Sequence, residues 1–454
     1  MQHLRHALGA RALHHPADAR PSRLRRSLSA CTAEGVVAEF AAACCGVGVL
    51  TAWALYLDAP RWTIGLLGAL PFLAQLLQVP AAYVVAHFGL RRVAIVAVST
   101  SRFVYLPLAV LPVLPIGTSA RVAVLAAVAA VAAVLNAVGG NAWMSWMGEL
   151  VPSRVRARYL GRRTAFCTAG GAVASLLAGA ALDASRRAGC MGGSLVAIAV
   201  VIVAAGVLCA VLLGRMHDPG PDGAPPTMRW ADAAVPLADP SGRRALVYQV
   251  AWGAASGLAT GFCALYMVEE LHLGFLGATL HAAAFALSRT FAAPLWGRAI
   301  DRVGARPVLV LTAIGLALTS SIWAVVTPSL VWLLAVDALA SGALDAGQLL
   351  GLMDLPLRIA PRAKRPFYLA TLAMGGGLAF AAAAAVGGAL IAAVPDGLSI
   401  LGRPTSTYGL LFFTAAALRA AASILGVRLV DPGARPVRAI LAPVLSTLAR
   451  DTAG

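Results

Sequence analysis

The sequence predicts an all-helical membrane protein in which twelve membrane-spanning helices form two six-helix bundles. The chain has 454 residues, of which 60% are apolar and only 12% are charged, whereas soluble domains carry about a quarter charged residues. Apolar runs of more than about 18 residues recur along the chain, and each is long enough to cross the roughly 30 Å hydrocarbon core of a bilayer as a helix. Strands are not predicted, because an isolated strand in lipid leaves its backbone hydrogen bonds unmade.

The apolar runs form two sets of six on either side of a polar linker. They cover residues 33–57, 63–86, 92–115, 120–149, 164–184 and 193–214 in the first set, and 245–268, 273–297, 307–327, 329–355, 367–394 and 406–428 in the second. The linker is rich in Pro, Gly and Asp, which is typical of a segment without a core of its own. The predicted organisation is therefore a basic N-terminal tail (1–32), a first bundle (33–214), the linker (215–244), a second bundle (245–430) and a C-terminal tail (431–454).

The placement of the basic residues predicts the orientation in the membrane. Of the 36 Lys and Arg residues, 28 lie in the two tails and in the connections after even-numbered runs, whereas the loops after odd-numbered runs hold five. Basic loops stay cytoplasmic during insertion, so both termini are predicted to be cytoplasmic. Arginine is abundant and Lys364 is the single lysine, which indicates a GC-rich bacterial source and hence the bacterial inner (plasma) membrane. The net charge of +17 is thus a topology signal, and nucleic-acid binding is not predicted.

A short motif follows the second run of each half. It reads AAYVVAHFGLRR at 81–92 and WGRAIDRVGAR at 296–306. The shared positions are Gly89 and Arg91 in the first copy, and Gly304 and Arg306 in the second.

A second motif follows the fourth run of each half. PSRVRARY at 152–159 matches PRAKRPFY at 361–368, and the acids Glu149 and Asp354 end the preceding runs. Two matches at similar offsets predict an internal duplication, which is common among transporters.

The second copy of the first motif resembles the signature loop of the major facilitator superfamily. That signature is Gly-x-x-x-Asp-Arg-x-Gly-x-Arg, and its positions here are Gly297, Asp301, Arg302, Gly304 and Arg306. The first copy departs from it, with Ala82, Ala86 and His87 where Gly, Asp and Arg would stand. The resemblance implies a monomeric twelve-helix transporter whose two bundles rock around a central cavity.

The resemblance also implies contacts that close the cytoplasmic side. Asp301 is expected to accept hydrogen bonds from exposed amides at the start of the fifth helix, near residues 163–166, because a helix N-terminus carries partial positive charge. Arg306 is expected to meet Asp354 below the tenth helix. The alternative interpretation is that the charged loop only marks topology. Because Ala86 lacks a carboxylate, the mirrored contact of the first half is not predicted.

The resemblance places the first, fourth, seventh and tenth helices around the cavity, and polar side chains recur on them at helical spacing. The candidate substrate and coupling residues are Glu39 on the first helix, Asn136, Asn141 and Trp143 on the fourth, Gln249, Trp252 and Ser256 on the seventh, and Asp337, Ser341, Asp345 and Gln348 on the tenth.

Charged residues inside the runs are costly unless they are paired or face water. Asp345 and Arg289 are predicted to lie at a similar depth and to form an ion pair. Asp345, together with Asp337 or Glu39, is one candidate for a proton-coupling or cation-substrate site; a purely structural ion pair is the other interpretation. Arg102 and Arg419 lie on helices that the resemblance places on the outside, where snorkelling or pairing is expected.

The functional prediction is secondary transport of a small solute, with protons as the coupling ion. The sequence lacks nucleotide-binding, metalloprotease and nucleophile-elbow motifs, so neither an enzyme nor a cofactor or metal site is predicted. The open alternatives are a facilitator without ion coupling and a membrane sensor that keeps the fold. An organic anion, a sugar, a peptide and a drug all remain possible substrates.

Overall fold

A computed structural model describes residues 21–217, 232, 234–393, 399–400, 403–404 and 407–435. The described chain is almost entirely helical. The first half contains six spans: span 1 (Pro21–Cys44 and Val47–Tyr56), span 2 (Arg61–Leu73 and Gln78–Phe88, joined by the 3-10 turn Ala74–Leu77), span 3 (Leu90–Phe103, Leu106–Val110 and the 3-10 turn Leu111–Val113), span 4 (Thr118–Leu150), span 5 (Arg156–Arg187) and span 6 (Met191–Gly214).

The second half repeats this order after a short helix, Val235–Ala238. It contains span 7 (Pro240–Thr260 and Cys263–Glu269), span 8 (Gly274–Val303), span 9 (Ala305–Val325), span 10 (Trp332–Ile359), span 11 (Arg365–Ala393) and span 12 (Thr407–Val427). Single 3-10 turns, Pro328–Leu330 and Arg362–Lys364, precede spans 10 and 11. The two-residue strands Ser399–Ile400 and Arg403–Pro404 pair antiparallel between spans 11 and 12.

The prediction of a helical multi-pass membrane protein is confirmed. Among the described residues, eleven helices are long and apolar enough to cross a bilayer. The twelfth, span 8, has 30 residues and carries the polar side chains His281 and Arg289 in its interior. Span 1 begins at Pro21 rather than at residue 33, so part of the predicted N-terminal tail is helical. In this added segment Ser27 is buried and accepts a hydrogen bond from the backbone N–H of His217 (2.9 Å).

The membrane face that carries the ends of spans 2, 4, 6, 8, 10 and 12 is called the basic face, and the opposite one the far face. On the basic face a single apolar core includes residues of both halves, such as Trp146 and Met147 from span 4 with Leu309 and Leu350 from spans 9 and 10. On the far face each half has a core of its own, one around Trp53 and the other around residues 258–271 and 408–415. The buried core therefore joins the halves on the basic face only.

Spans 5 and 8 cross with their backbones in contact on the basic side of this joint. A Cβ atom at Gly161 would lie 2.4 Å from the carbonyl oxygen of Ala293, and one at Gly297 would lie 2.4 Å from that of Ala157. Such distances are below van der Waals contact, so only glycine allows this approach. The signature residue Gly297 is thus explained by helix packing between the two halves.

We expect Gly161→Ala and Gly297→Ala each to lower the free energy of unfolding by about 2 kcal/mol, because overpacking a tight contact typically costs ~1–3 kcal/mol. Chemical unfolding in mixed detergent micelles would measure the change. Gly179→Ala is the matched control, since a Cβ atom there meets nothing within 4 Å. Equal effects at Gly297 and Gly179 would contradict the packing account.

Candidate functional site

A cavity of about 760 Å³ lies mainly within the second half. Spans 7 to 12 all contribute to its lining, and span 2 of the first half closes one wall with Pro71, Phe72 and Gln75. The Phe72 ring stacks on the Phe380 ring of span 11, with centroids 5.3 Å apart and planes at 8°. The lining side chains of spans 7, 8 and 10 come mostly from the parts of these helices that lie away from the basic face.

Six of the predicted polar positions line this cavity. They are Gln249, Trp252, Ser256, Asp337, Ser341 and Asp345, from spans 7 and 10. The helical spacing therefore identified the correct face of both spans.

The candidate residues of spans 1 and 4 lie elsewhere. Asn141 is buried and donates to the carbonyl oxygen of Pro366 (3.0 Å), and the Trp143 ring lies beneath the Arg163 guanidinium (4.2 Å from its carbon to the ring centroid). Asn136 lines a second cavity of about 270 Å³ inside the first half. Glu39 is exposed and does not line the main cavity. The expected contribution of span 4 fails because its basic half packs against span 11 in the joint between the halves.

Gln348 corrects the prediction for the end of the span 10 stripe. It is 1% exposed, accepts a hydrogen bond from the Thr312 hydroxyl (2.8 Å) and donates to the Tyr248 hydroxyl (2.8 Å). Its amide thereby ties spans 7, 9 and 10 together below the cavity. Helical spacing could not show that Gln348 is buried, because it places Gln348 on the same face of span 10 as Asp345. The structure places Gln348 about one turn closer to the basic face, within the core that joins the halves.

Asp345 forms the predicted ion pair. Its carboxylate lies 3.3 Å from the guanidinium of Arg289 on span 8, and the Asp345 side chain is 34% exposed to the cavity. About two thirds of each side chain of the pair is therefore buried.

His281 and Asp337 form a second pair that the sequence reading missed. His281 Nε2 lies 3.0 Å from Asp337 Oδ2, the Asp337 side chain is 3% exposed, and its Oδ1 atom is buried without a hydrogen-bond partner. The His281 ring packs edge-on against Trp323 (5.2 Å between centroids). The spacing of eight residues between His281 and Arg289 places both on one face of span 8, which is the signal that could have revealed this pair.

Arg419 on span 12 also lines the cavity, contrary to the prediction that it faces outward. Its guanidinium donates to the Ser320 hydroxyl and to the Leu316 carbonyl oxygen (3.5 Å), and its carbon lies 5.6 Å from the centroid of the Trp252 ring. The bundle has turned this charge inward because spans 7 and 9 offer it polar and aromatic partners.

On the basic face, Asp301 of span 8 caps the N-terminus of span 5 in the other half. Its carboxylate accepts hydrogen bonds from the backbone N–H groups of Ala157 (3.0 Å) and Arg158 (2.9 Å), and its side chain is 2% exposed. The predicted type of contact is correct, but the predicted partners at 163–166 are wrong. Span 5 begins at Arg156, so its unpaired amides lie one to two turns earlier.

Two further ion pairs join the halves at the positions of the second motif. Arg156 at the start of span 5 lies 3.8 Å from Asp354 of span 10, and Arg365 at the start of span 11 lies 3.9 Å from Glu149 of span 4. Arg156 and Arg365 are both the fifth residue of their motif copies. The pairs are therefore reciprocal, one running in each direction across the joint.

The expected contact between Arg306 and Asp354 is wrong. Asp354 is fully buried and pairs with Arg358, one turn away, and with Arg156. The backbone N–H of Arg306 donates to Asp431 instead (3.0 Å), so Asp431 caps span 9. Arg358 and Arg156 therefore take the place beside Asp354 that was expected for Arg306.

The glycines of the first motif perform the same task in both copies. Gly89 and Gly304 have φ of 88° and 93°, and each ends one helix and starts the next. Such φ values favour glycine. In the first copy the Arg91 side chain donates to the carbonyl oxygen of Gly214 (2.8 Å). In the second copy Arg302, whose counterpart in the first copy is His87, is exposed.

Where the mirror of Asp301 would lie, the joint is apolar. Ala82 packs with Phe367 and Ala370 in a small buried cluster bordered by Ala86. The Tyr83 ring meets the Phe367 ring edge-on, 5.3 Å between centroids. The degenerate first copy thus corresponds to an apolar contact of spans 2 and 11, opposite the polar contact of spans 5 and 8.

The segment before span 7 is held by Asp239, which lies outside the membrane span. Its carboxylate accepts from the backbone N–H groups of Ser241 (3.2 Å) and Gly242 (3.1 Å) and from the Tyr368 hydroxyl (2.7 Å). The Tyr368 hydrogen bond, with help from the two amides, holds the pKa of Asp239 below its ordinary value. The cap therefore stays charged at neutral pH and ties the end of the linker to span 11.

Comparison with known proteins agrees with this architecture. The sequence profile of the Major Facilitator Superfamily matches residues 245–444, and the fold is similar to that of solved transporter structures over about nine tenths of the chain. The second half of the chain therefore matches the Major Facilitator Superfamily in sequence. A search of the curated proteins finds no match.

Three solved structures illustrate the range of similar folds. A bacterial homologue of the iron transporter ferroportin in its outward-facing state has a TM-score of 0.71 at 15% identity, covering 88% of this chain and 98% of that one. The human organic anion transporter MFSD10 has a TM-score of 0.69 at 15% identity, with coverage of 90% and 100%. The Escherichia coli fucose:proton symporter FucP has a TM-score of 0.67 at 16% identity, with coverage of 89% and 99%. At such identities the likeness shows a shared fold and leaves the substrate open.

We expect Asp301→Ala to favour opening of the basic face, because loss of a helix cap costs about 1 kcal/mol and so raises the ratio of open to closed molecules roughly fivefold. The reporter is Leu357→Cys in a chain whose seven native cysteines are replaced, since Leu357 is 3% exposed and lies against Gly148 in the joint. Maleimide labelling in nanodiscs should be about fivefold faster in Asp301→Ala.

The matched control is Arg302→Ala, which removes an exposed neighbour in the same loop. It should label at the wild-type rate. Equal labelling rates in Asp301→Ala and Arg302→Ala would show that the Asp301 cap has no role in closure.

Proposed function

We propose that this protein is a proton-coupled secondary transporter that moves a small solute across the bacterial inner membrane by alternating access. The observation that carries the proposal is the apolar core that joins the halves on the basic face, while each half keeps a separate core on the far face. This is the arrangement expected of one end state of a rocking transporter. With the basic face in the cytoplasm, it corresponds to a state closed to the cytoplasm.

The proposed coupling site consists of the two acidic residues that line the cavity. Asp345 faces Arg289 at 3.3 Å, and Asp337 faces His281 at 3.0 Å. Arg419 is the remaining charged residue of the cavity lining. A proton taken up by either carboxylate would release its cationic partner, which changes the contacts between spans 8 and 10. Such a local change of charge can bias a two-state equilibrium.

Proton coupling is favoured over a simple facilitator because both carboxylates are mostly removed from water and yet border the cavity. A purely structural role for the Asp345–Arg289 pair is the competing interpretation. The similar fold of FucP, a fucose:proton symporter, supports the proposal by analogy. A membrane sensor would bind a solute in this cavity but would not exchange it across the bilayer.

We expect Asp345→Asn to abolish accumulation driven by a pH gradient while solute exchange without a gradient continues. A solute found by thermal-shift screening would be used in proteoliposomes. A gradient of about two pH units corresponds to about 2.7 kcal/mol per proton and supports up to roughly 100-fold accumulation of a neutral solute. In Asp345→Asn the internal concentration should only equal the external one.

Glu39→Gln serves as the control, because Glu39 does not line the main cavity, and it should accumulate solute like wild type. Full accumulation by Asp345→Asn would remove this residue from coupling. If the pH gradient has no effect on solute exchange by the wild-type protein, a facilitator is favoured. If the protein binds the solute but does not exchange it, a sensor is favoured.

A further inference from the structure

Arg419 is a cation in the cavity lining that forms no ion pair with a described residue, although Asp345 and Asp337 act on it electrostatically from a greater distance. Among the described residues, no carboxylate oxygen lies within 4.0 Å of its guanidinium, and the groups that accept its hydrogen bonds, Ser320 and Leu316, are neutral. Its Nε atom is buried and has no hydrogen-bond partner. A cation within a membrane protein normally pairs with an acid or faces water, so Arg419 is available to an anion that enters the cavity.

The acidic side chains of the cavity each have a close partner on span 8. Asp345 is balanced by Arg289, and Asp337 is paired with His281. With His281 neutral, the charges of these four residues and Arg419 sum to zero. With one added proton, on His281 or on a carboxylate, the site carries one positive charge. A single negative charge on the solute then restores neutrality in a medium of low dielectric.

The walls around Arg419 suit an apolar, flat body. The centroid of the Trp252 ring lies 5.6 Å from the guanidinium carbon of Arg419, and the Phe72–Phe380 stack lines the same cavity at the joint with the first half. Trp323 and Phe412 complete an aromatic lining on spans 9 and 12. Aromatic side chains stack on flat rings, and a volume of about 760 Å³ is in the range of small-molecule sites.

We propose that the substrate is an amphipathic organic monoanion whose carboxylate, sulfonate or phosphate-type group binds Arg419 and whose ring system lies against Trp252. The anion enters together with one proton, so its affinity rises as the pH falls. This inference rests on the proposed transport function and adds the substrate class to it.

The test measures equilibrium binding, which needs no transport. The probes are 2-naphthalenesulfonate, 2-naphthalenesulfonamide and 2-naphthylmethylammonium, which share one ring system and carry a negative, zero and positive charge. Equilibrium dialysis against the full-length protein in nanodiscs, with empty nanodiscs subtracted, gives the saturable binding. The sulfonate stays ionised at every pH used, so any pH dependence belongs to the protein.

We expect the sulfonate to bind at least tenfold more tightly than either other probe, and at least threefold more tightly at pH 6 than at pH 8. Arg419→Gln should weaken sulfonate binding at least tenfold and leave sulfonamide binding unchanged. Arg419→Lys, which keeps the charge, should retain part of the affinity and reports on folding. Arg102→Gln is the matched control, because Arg102 is a buried arginine that lines the other cavity.

A second pair of variants tests the proton. Asp337→Asn removes a negative charge as a bound proton would, so it should bind the sulfonate tightly at both pH values. Asp345→Asn should retain the preference for the sulfonate over the sulfonamide.

The proposal is overturned if the sulfonamide or the ammonium probe binds as tightly as the sulfonate, if Arg419→Gln binds like wild type, or if the sulfonate shows no saturable binding. Sulfonate binding that depends on Arg419, in a protein that exchanges no solute, would overturn the transport function and leave the anion site intact. Proton-driven uptake of a neutral or cationic solute without sulfonate binding would overturn the anion site alone.

Discussion

The carboxylate of Asp301 links the two halves by capping a helix that belongs to the opposite one. The first N–H groups of an α-helix have no partner within the helix, and here two of them find Asp301 across the joint at 3.0 and 2.9 Å. The glycine crossing of spans 5 and 8 brings the two backbones close enough for this contact. The reciprocal Arg156–Asp354 and Arg365–Glu149 pairs lie beside it. In the proposed alternating-access cycle, all of these contacts would break together when the halves move apart.

The two halves share a fold but differ in the polarity of the residues that they contribute to the cavity and the joint. The charged pairs of the main cavity lie in the second half, and its signature loop is complete. The first half contributes Phe72 and an apolar contact around Ala82 and Phe367 to the same joint. The two motif copies already show this asymmetry, because the first has Ala86 where the second has the acid Asp301.

The sequence predicted what local chemistry determines. Apolar length gave the spans, helical spacing gave the cavity faces of spans 7 and 10, and equal depth gave the Asp345–Arg289 pair. It did not predict what packing between distant segments determines. His281 and Asp337 are 56 residues apart, and only the crossing of spans 8 and 10 brings them together. Arg419 was expected at the lipid face because the resemblance assigned its helix a position, whereas its direction depends on Trp252 and Ser320. The partners of Asp301 were misplaced because the exact start of span 5 could not be read from the apolar pattern.

The central claim is that reciprocal ion pairs and the Asp301 cap hold the basic face shut in one of two states. The most direct measurement is the distance distribution between spin labels at Ser153 and Ala363, which lie exposed in the matching loops of the two halves. Pulsed electron paramagnetic resonance in nanodiscs should resolve a short and a long distance in the wild-type protein. Replacing both Arg156 and Arg365 by Gln should deplete the short distance in favour of the long one. A single distance that is the same with and without these arginines would contradict the account.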